Sequence, residues 1–93
     1  MSRTRFIAWV TGRPIDGWSI ASITDAVSRK TGISAEAIMS ADRTIRVSSA
    51  RQEVMRRAYA TGRYSLPEIG RALGRDHTTV GHGIRRATER LGA

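Results

Sequence analysis

Asp76-His77-Thr78-Thr79 sets a carboxylate, an imidazole and two hydroxyls with their neighbouring methyls on four consecutive positions. These groups match the edges of base pairs. A carboxylate accepts from the amino group of cytosine, a hydroxyl serves several edges, and a threonine methyl packs on that of thymine. The same residues fit a plainer role, with Asp76 capping a helix and the threonines filling its first turn. The two readings are compatible. Catalytic and metal chemistry find less support. His77 and His82 are five apart, off one helical face, with no third ligand and no His-Glu-x-x-His spacing. Serine, histidine and aspartate are all present, but no nucleophile elbow marks a catalytic serine. The chain has no cysteine, which removes disulfides and thiolate metal sites, and it has no Gly-rich Lys-Ser/Thr phosphate loop. The expectation is a protein that is not an enzyme and takes no metal, cofactor or nucleotide.

Two helices must position that turn. Ser65-Leu66-Pro67-Glu68 is a capping box with proline in the first turn, where its missing N–H costs nothing. The helix it opens is short, running through Ile69 and Leu73 to Gly74. Asp76 then caps a last helix carrying Thr79, Val80, Ile84, Ala87 and Leu91. Gly70, Gly74 and Val80 stand at offsets of four and six. That is the helix-turn-helix requirement for a small residue in the first helix, a glycine in the turn and a β-branched residue in the second helix. The start of the second helix is where such motifs contact bases.

Upstream, Ser22 with Asp25 reads as a cap for a helix bearing Ile23, Ala26 and Val27 and ending at Gly32. Ser34 caps a shorter helix through Met39. Arg43-Thr44-Ile45-Arg46-Val47 lacks a helical stripe and reads as a basic loop. Ser49 with Gln52 then offers a cap for a helix of about thirteen residues, with Val54, Met55, Ala58 and Tyr59 as its apolar face and Gly62 as its close. Before Ser22 the chain is irregular, punctuated by Thr11-Gly12-Arg13-Pro14 and Asp16-Gly17, with a short helical turn around Arg5–Val10. The expected architecture is all-α: a compact helical domain over residues 22–93, preceded by an extension over residues 1–21. A length of 93 residues suits a single domain.

Charge favours a nucleic acid partner. Sixteen basic side chains face eight acidic ones, a net +8, and fifteen of the sixteen are arginine. Eleven basic and four acidic residues follow from Arg43 onward, so +7 of the +8 lies there. Guanidinium groups fork onto phosphates and guanine edges where an ammonium acts as a point charge. The plain alternative is a solvated surface. No basic amphipathic helix with an aromatic face argues for a membrane, and no aromatic platform argues for RNA. Phe6-Ile7-Ala8-Trp9-Val10 is the longest apolar run, too short to span a bilayer and without a signal-peptide cleavage pattern. A cytoplasmic, nucleoid-associated location is expected.

Residues from Arg51 to about Leu91 resemble the C-terminal DNA-binding domain of the bacterial replication initiator DnaA. The resemblance rests on Ala50-Arg51-Gln52, on Ser65-Leu66-Pro67-Glu68-Ile69-Gly70-Arg71 and above all on Gly74-Arg75-Asp76-His77-Thr78-Thr79-Val80. A weaker likeness reaches back to about Ile23. The resemblance implies base contacts in the major groove from Asp76, His77 and Thr78, with Thr79 beside them. It implies an arginine in the adjacent minor groove at Arg43, a groove-facing pair at Leu66 and Pro67, and a preference for sites like the nine-base-pair DnaA box. It implies a strand contact at Arg51, and Arg46, Arg75, Arg85, Arg86 and Arg90 are expected to face phosphates as well. The family's ATP-binding module has no counterpart in this sequence, so an autonomous initiator is not expected. Gly81 and Gly83 stand where the family usually carries larger residues, at about 1 kcal/mol each against alanine unless close packing compensates.

Two classes of function follow. One is a transcription or replication regulator at DnaA-box-like sites on double-stranded DNA, competing with an initiator as a phage or accessory protein would. The other is a protein-interaction adaptor that keeps the fold with weak or non-specific DNA binding. Phe6, Trp9 and Trp18 bear on both: they cover one side of the core, or they form a surface for a homodimer or a protein partner.

Overall fold

A computed structural model describes residues 19–92. The expectations for Phe6, Trp9, Trp18, the helical turn around Arg5–Val10 and the turns between Trp9 and Trp18 lie outside these residues. Among the described residues the architecture is all-α: α1 (Ile20–Thr31), α2 (Ala35–Met39), α3 (Ile45–Ala60), α4 (Leu66–Leu73) and α5 (His77–Gly92).

Serine caps set the starts of α1 and α2, and burial sets that of α3. α1 begins before the expected Ser22, because the Ser19 hydroxyl accepts from the Ser22 backbone N–H at 3.1 Å. Asp25, expected as the acid of a cap with Ser22, pairs instead with Arg29 one turn on. α2 is capped by Ser34, which accepts from Ala37 N–H. The larger correction concerns α3. The stretch expected as a basic loop is helical from Ile45, and the expected cap pair Ser49 and Gln52 lies inside the helix. Thr44 takes the N-cap position without a side-chain hydrogen bond. What holds this first turn is burial: Val47 and Ala50 continue the buried stripe of Val54, Met55 and Ala58.

α3 packs against all four other helices and forms the axis of the domain. Val54 and Ala58 are fully enclosed, as are Val27 from α1, Ile38 from α2, Ile69 from α4 and Val80 from α5. One contiguous core therefore draws on every helix and fixes α4 and α5 as a pair against α3.

Candidate nucleic-acid interface

The turn between α4 and α5 is built from the expected parts. Ser65 accepts from Glu68 N–H at 3.3 Å while the Glu68 carboxylate accepts from Ser65 N–H at 2.8 Å, closing the capping box. This hydrogen bonding holds the Glu68 carboxyl below its ordinary range. α4 ends at Gly74, whose φ of 69° is a left-handed conformation that suits a residue without a Cβ. Gly70 answers a different demand. A side chain there would overlap the Arg75 carbonyl oxygen, so the contact requiring a small residue comes from the turn's own backbone. Arg75 N–H returns to the Gly70 carbonyl at 2.8 Å.

α5 then starts under the Asp76 carboxylate, which accepts from Thr79 N–H at 2.8 Å. That bond is the largest influence lowering the Asp76 pKa, and the Thr78 N–H and His77 add to it. Asp76 is thus an ionised acceptor that caps the helix and remains exposed. His77, Thr78 and Thr79 are exposed too, whereas Val80 is fully buried. The opening turn of α5 presents four polar side chains to solvent from a helix anchored by the residue that follows them.

Six of the arginines expected at the DNA divide into three groups. Arg43, Arg46, Arg85 and Arg86 are exposed. Arg75 is half-buried, with Nη1 donating to the Leu73 carbonyl and Nη2 to the Ser40 carbonyl. Arg51, expected on the DNA strand, is only 5% exposed. Its Nε donates to Ile38 O at 2.7 Å and its Nη2 to Ser40 O at 2.8 Å and Asp42 O at 3.0 Å. Burial is the main influence pushing its pKa down, the Arg75 charge works in the same direction, and Asp42 opposes both. This guanidinium, expected on the strand, is bound to carbonyls of its own protein and also lines a cleft between α3 and α5. A sequence signal existed. Once α3 is extended back to Ile45, Arg51 falls on the buried stripe between Val47, Ala50 and Val54.

Two adjoining clefts run between α3 and α5. The first, of about 280 Å³, is lined by Arg43, Ser48, Arg51, Gln52, Met55, Arg75, Thr79 and Gly83. The second, of about 330 Å³, shares Arg43, Ser48 and Gln52 and extends to Arg86 and Arg90. No carboxylate lines either cleft, which leaves a basic groove beside the opening turn of α5. Arg90 reaches across it, donating to Gln52 Oε1 at 2.6 Å, a bond between residues far apart in sequence that no local pattern announces. Ile45 stands at its edge, 84% exposed. Arg56 and Arg57 are occupied elsewhere on α3, both bound to Glu53.

Leu66 and Pro67 open α4 beside this surface. Pro67 is exposed, while Leu66 is partly buried against the core and lies in ordinary contact range of position 81 on α5. Among the described residues no group of three histidine, cysteine, aspartate or glutamate side chains could hold a metal ion, and no helix is long and apolar enough to cross a membrane.

Residues 20–87 match the family model described as the bacterial dnaA protein helix-turn-helix. The chain is 40% identical over 74 residues to the chromosomal replication initiator protein DnaA of Bradyrhizobium sp. (strain BTAi1 / ATCC BAA-1182), covering 78% of this chain and 16% of that protein. It is 43% identical over 68 residues to the protein of the same name from Rhodopseudomonas palustris (strain BisB5), covering 72% of this chain and 14% of the other. For the Brucella abortus biovar 1 (strain 9-941) protein the identity is 40% over 75 residues, covering 80% and 15%. The chain thus spans at most 16% of the length of these relatives. No solved structure gives a significant match.

Proposed function

The chain belongs to the bacterial DnaA helix-turn-helix family, and from that premise we propose that it binds double-stranded DNA at DnaA-box-like sites. The opening turn of α5 enters the major groove, where Asp76, His77, Thr78 and Thr79 meet base edges. Leu66 and Pro67 lie along the groove wall, and Arg43 reaches the neighbouring minor groove. Arg46, Arg85 and Arg86 meet phosphates. Arg75 joins them with the N–H groups not used on Leu73 and Ser40. Arg51 enters through the loop it holds instead of through a strand.

The observation that carries this reading is the exposure of all four residues of that turn beside a groove lined by arginine and by no carboxylate. Bound in this way, the protein acts as a transcription or replication regulator by occupying sites that an initiator also uses.

Titration of a labelled DnaA-box duplex and a scrambled duplex across a salt series tests the reading. The box duplex is expected to bind more tightly at every salt concentration. His77→Ala or Thr78→Ala should remove about 1–3 kcal/mol of that preference. Equal binding of the two duplexes by the unaltered protein overturns it.

A further inference from the structure

Two guanidinium groups from distant parts of the chain meet on one carbonyl oxygen. Arg51 Nη2 lies 2.8 Å and Arg75 Nη2 2.7 Å from the oxygen of Ser40. Arg51 comes from the middle of α3, Arg75 from the turn just before α5, and Ser40 opens the segment joining α2 to α3. We propose that this shared carbonyl is a joint that sets the Arg43 loop in register with the opening turn of α5, with Arg51 and Arg75 as positioning residues for two-groove recognition. The inference rests on the DNA-binding reading above.

The loop of residues 40–44 is fixed at its ends by its two flanking helices: the Ser40 hydroxyl and N–H donate to the Ala37 carbonyl of α2, and the Ser48 N–H of α3 donates to the Thr44 carbonyl. Its local bonds run from Asp42 N–H to the Ser40 hydroxyl and from Thr44 N–H to the Asp42 carboxylate. Both are exposed and both stay within the loop, so they shape its middle without tying that part to the domain. Arg51 adds the tie at Asp42, beside Arg43. It takes the carbonyls of Ile38, Ser40 and Asp42 together, and the Asp42 carbonyl belongs to the peptide plane from which Arg43 follows. That plane sets where the exposed Arg43 side chain departs.

Arg75 performs the matching service for α5. It binds the last residue of α4 through the Leu73 carbonyl and the loop through Ser40, two positions ahead of His77. The arrangement depends on the guanidinium fork: three or more donors in a fixed plane satisfy carbonyls that point from different directions. A lysine carries the same charge but not that geometry. The two like charges are brought together without a carboxylate hydrogen-bonded to either, so carbonyl oxygens alone accept from both.

A double-mutant cycle on the full chain separates positioning from direct contact. Binding to the box and scrambled duplexes is measured for the unaltered protein, Arg51→Lys, Arg43→Ala and the pair. Arg51→Lys is expected to weaken box binding by roughly five- to tenfold. Most of that loss should vanish when Arg43 is already alanine, because the misplaced side chain is no longer there. Arg51→Lys should also lose discrimination at the minor-groove end of the site while keeping it for the bases facing Asp76 and His77. Should thermal melting show that Arg51→Lys does not fold, Arg75→Gln replaces it in the same cycle, with coupling to Arg43 again expected. Losses that multiply independently, or a uniform weakening on both duplexes, overturn the joint while leaving the DNA-binding reading intact. If the unaltered protein itself shows no preference for the box, both readings fail.

Discussion

Gly83 on α5 lies so close to Met55 on α3 that a Cβ there would stand 2.5 Å from the Met55 sulfur and 3.2 Å from Gln52 Cγ. This contact sets the spacing of the two helices that wall the basic groove. It also accounts for one of two glycines inside α5 that helix propensity alone disfavours. Gly81 has no such reason: a Cβ there meets only Leu66 Cδ1 at 3.9 Å. Gly81→Ala is therefore expected to raise stability by about 0.5–1 kcal/mol through helix propensity. Gly83→Val should lower it by about 1–3 kcal/mol through overpacking against buried Met55. Urea unfolding followed by circular dichroism distinguishes the two; equal effects would refute the packing account.

Asp76 both caps α5 and faces outward, and two substitutions separate these roles. Asparagine also caps helices, so Asp76→Asn should leave stability within about 0.5 kcal/mol, whereas Asp76→Ala should lose about 1 kcal/mol. Both remove the anionic acceptor and should change base preference at the same position of the site. Parallel thermal melts and binding selection from a randomised duplex pool read the two effects independently.

Acid should unfold the protein partly through Glu53. Hydrogen bonding to Arg56 is the main cause holding its pKa at about 2, down from 4.5; burial opposes, and Arg57 adds to the lowering. A carboxylate whose pKa is lower folded than unfolded stabilises the fold above its unfolded value, and that stability is lost as pH falls toward the folded one. Glu53 is only partly buried and solvent screens the pair, so between about pH 5 and pH 2 its protonation should cost the protein only about 1 kcal/mol. The capping carboxylates Glu68 and Asp76 shift in the same direction. Glu53→Gln should flatten, without abolishing, the fall in the urea midpoint over that range. An unchanged slope would show that the pair with Arg56 does not persist in solution.

Arginines that line the groove should behave differently from those bound to Glu53. Arg86→Ala is expected to weaken binding to every duplex and to reduce the slope of log affinity against log salt by about 1. Arg57, held by Glu53 at 2.7 Å, should leave that slope unchanged when replaced by alanine. If both variants change the slope alike, the groove between α3 and α5 is not the surface that meets the strands.

Features closed within one turn of chain could be read from residue order alone. The Ser65–Glu68 box, the left-handed Gly74 and the Asp76 cap each join groups at most three residues apart or a single backbone angle, so neighbouring residues suffice to specify them. The start of α3 could not be read that way. Ser49 and Gln52 form as good a local cap as Ser65 and Glu68, and only burial of Val47 and Ala50 against other helices decides against it. Residue order gave Arg51 no internal partner, because a guanidinium is equally suited to phosphate and carbonyl oxygens. Its destination was settled by carbonyls thirteen to nine positions away, and that of Arg75 by Ser40 thirty-five positions away. The spacing enforced at Gly83 likewise exists only once α5 lies on α3. Long-range packing decided these points because it determines which of several satisfactory partners comes within reach.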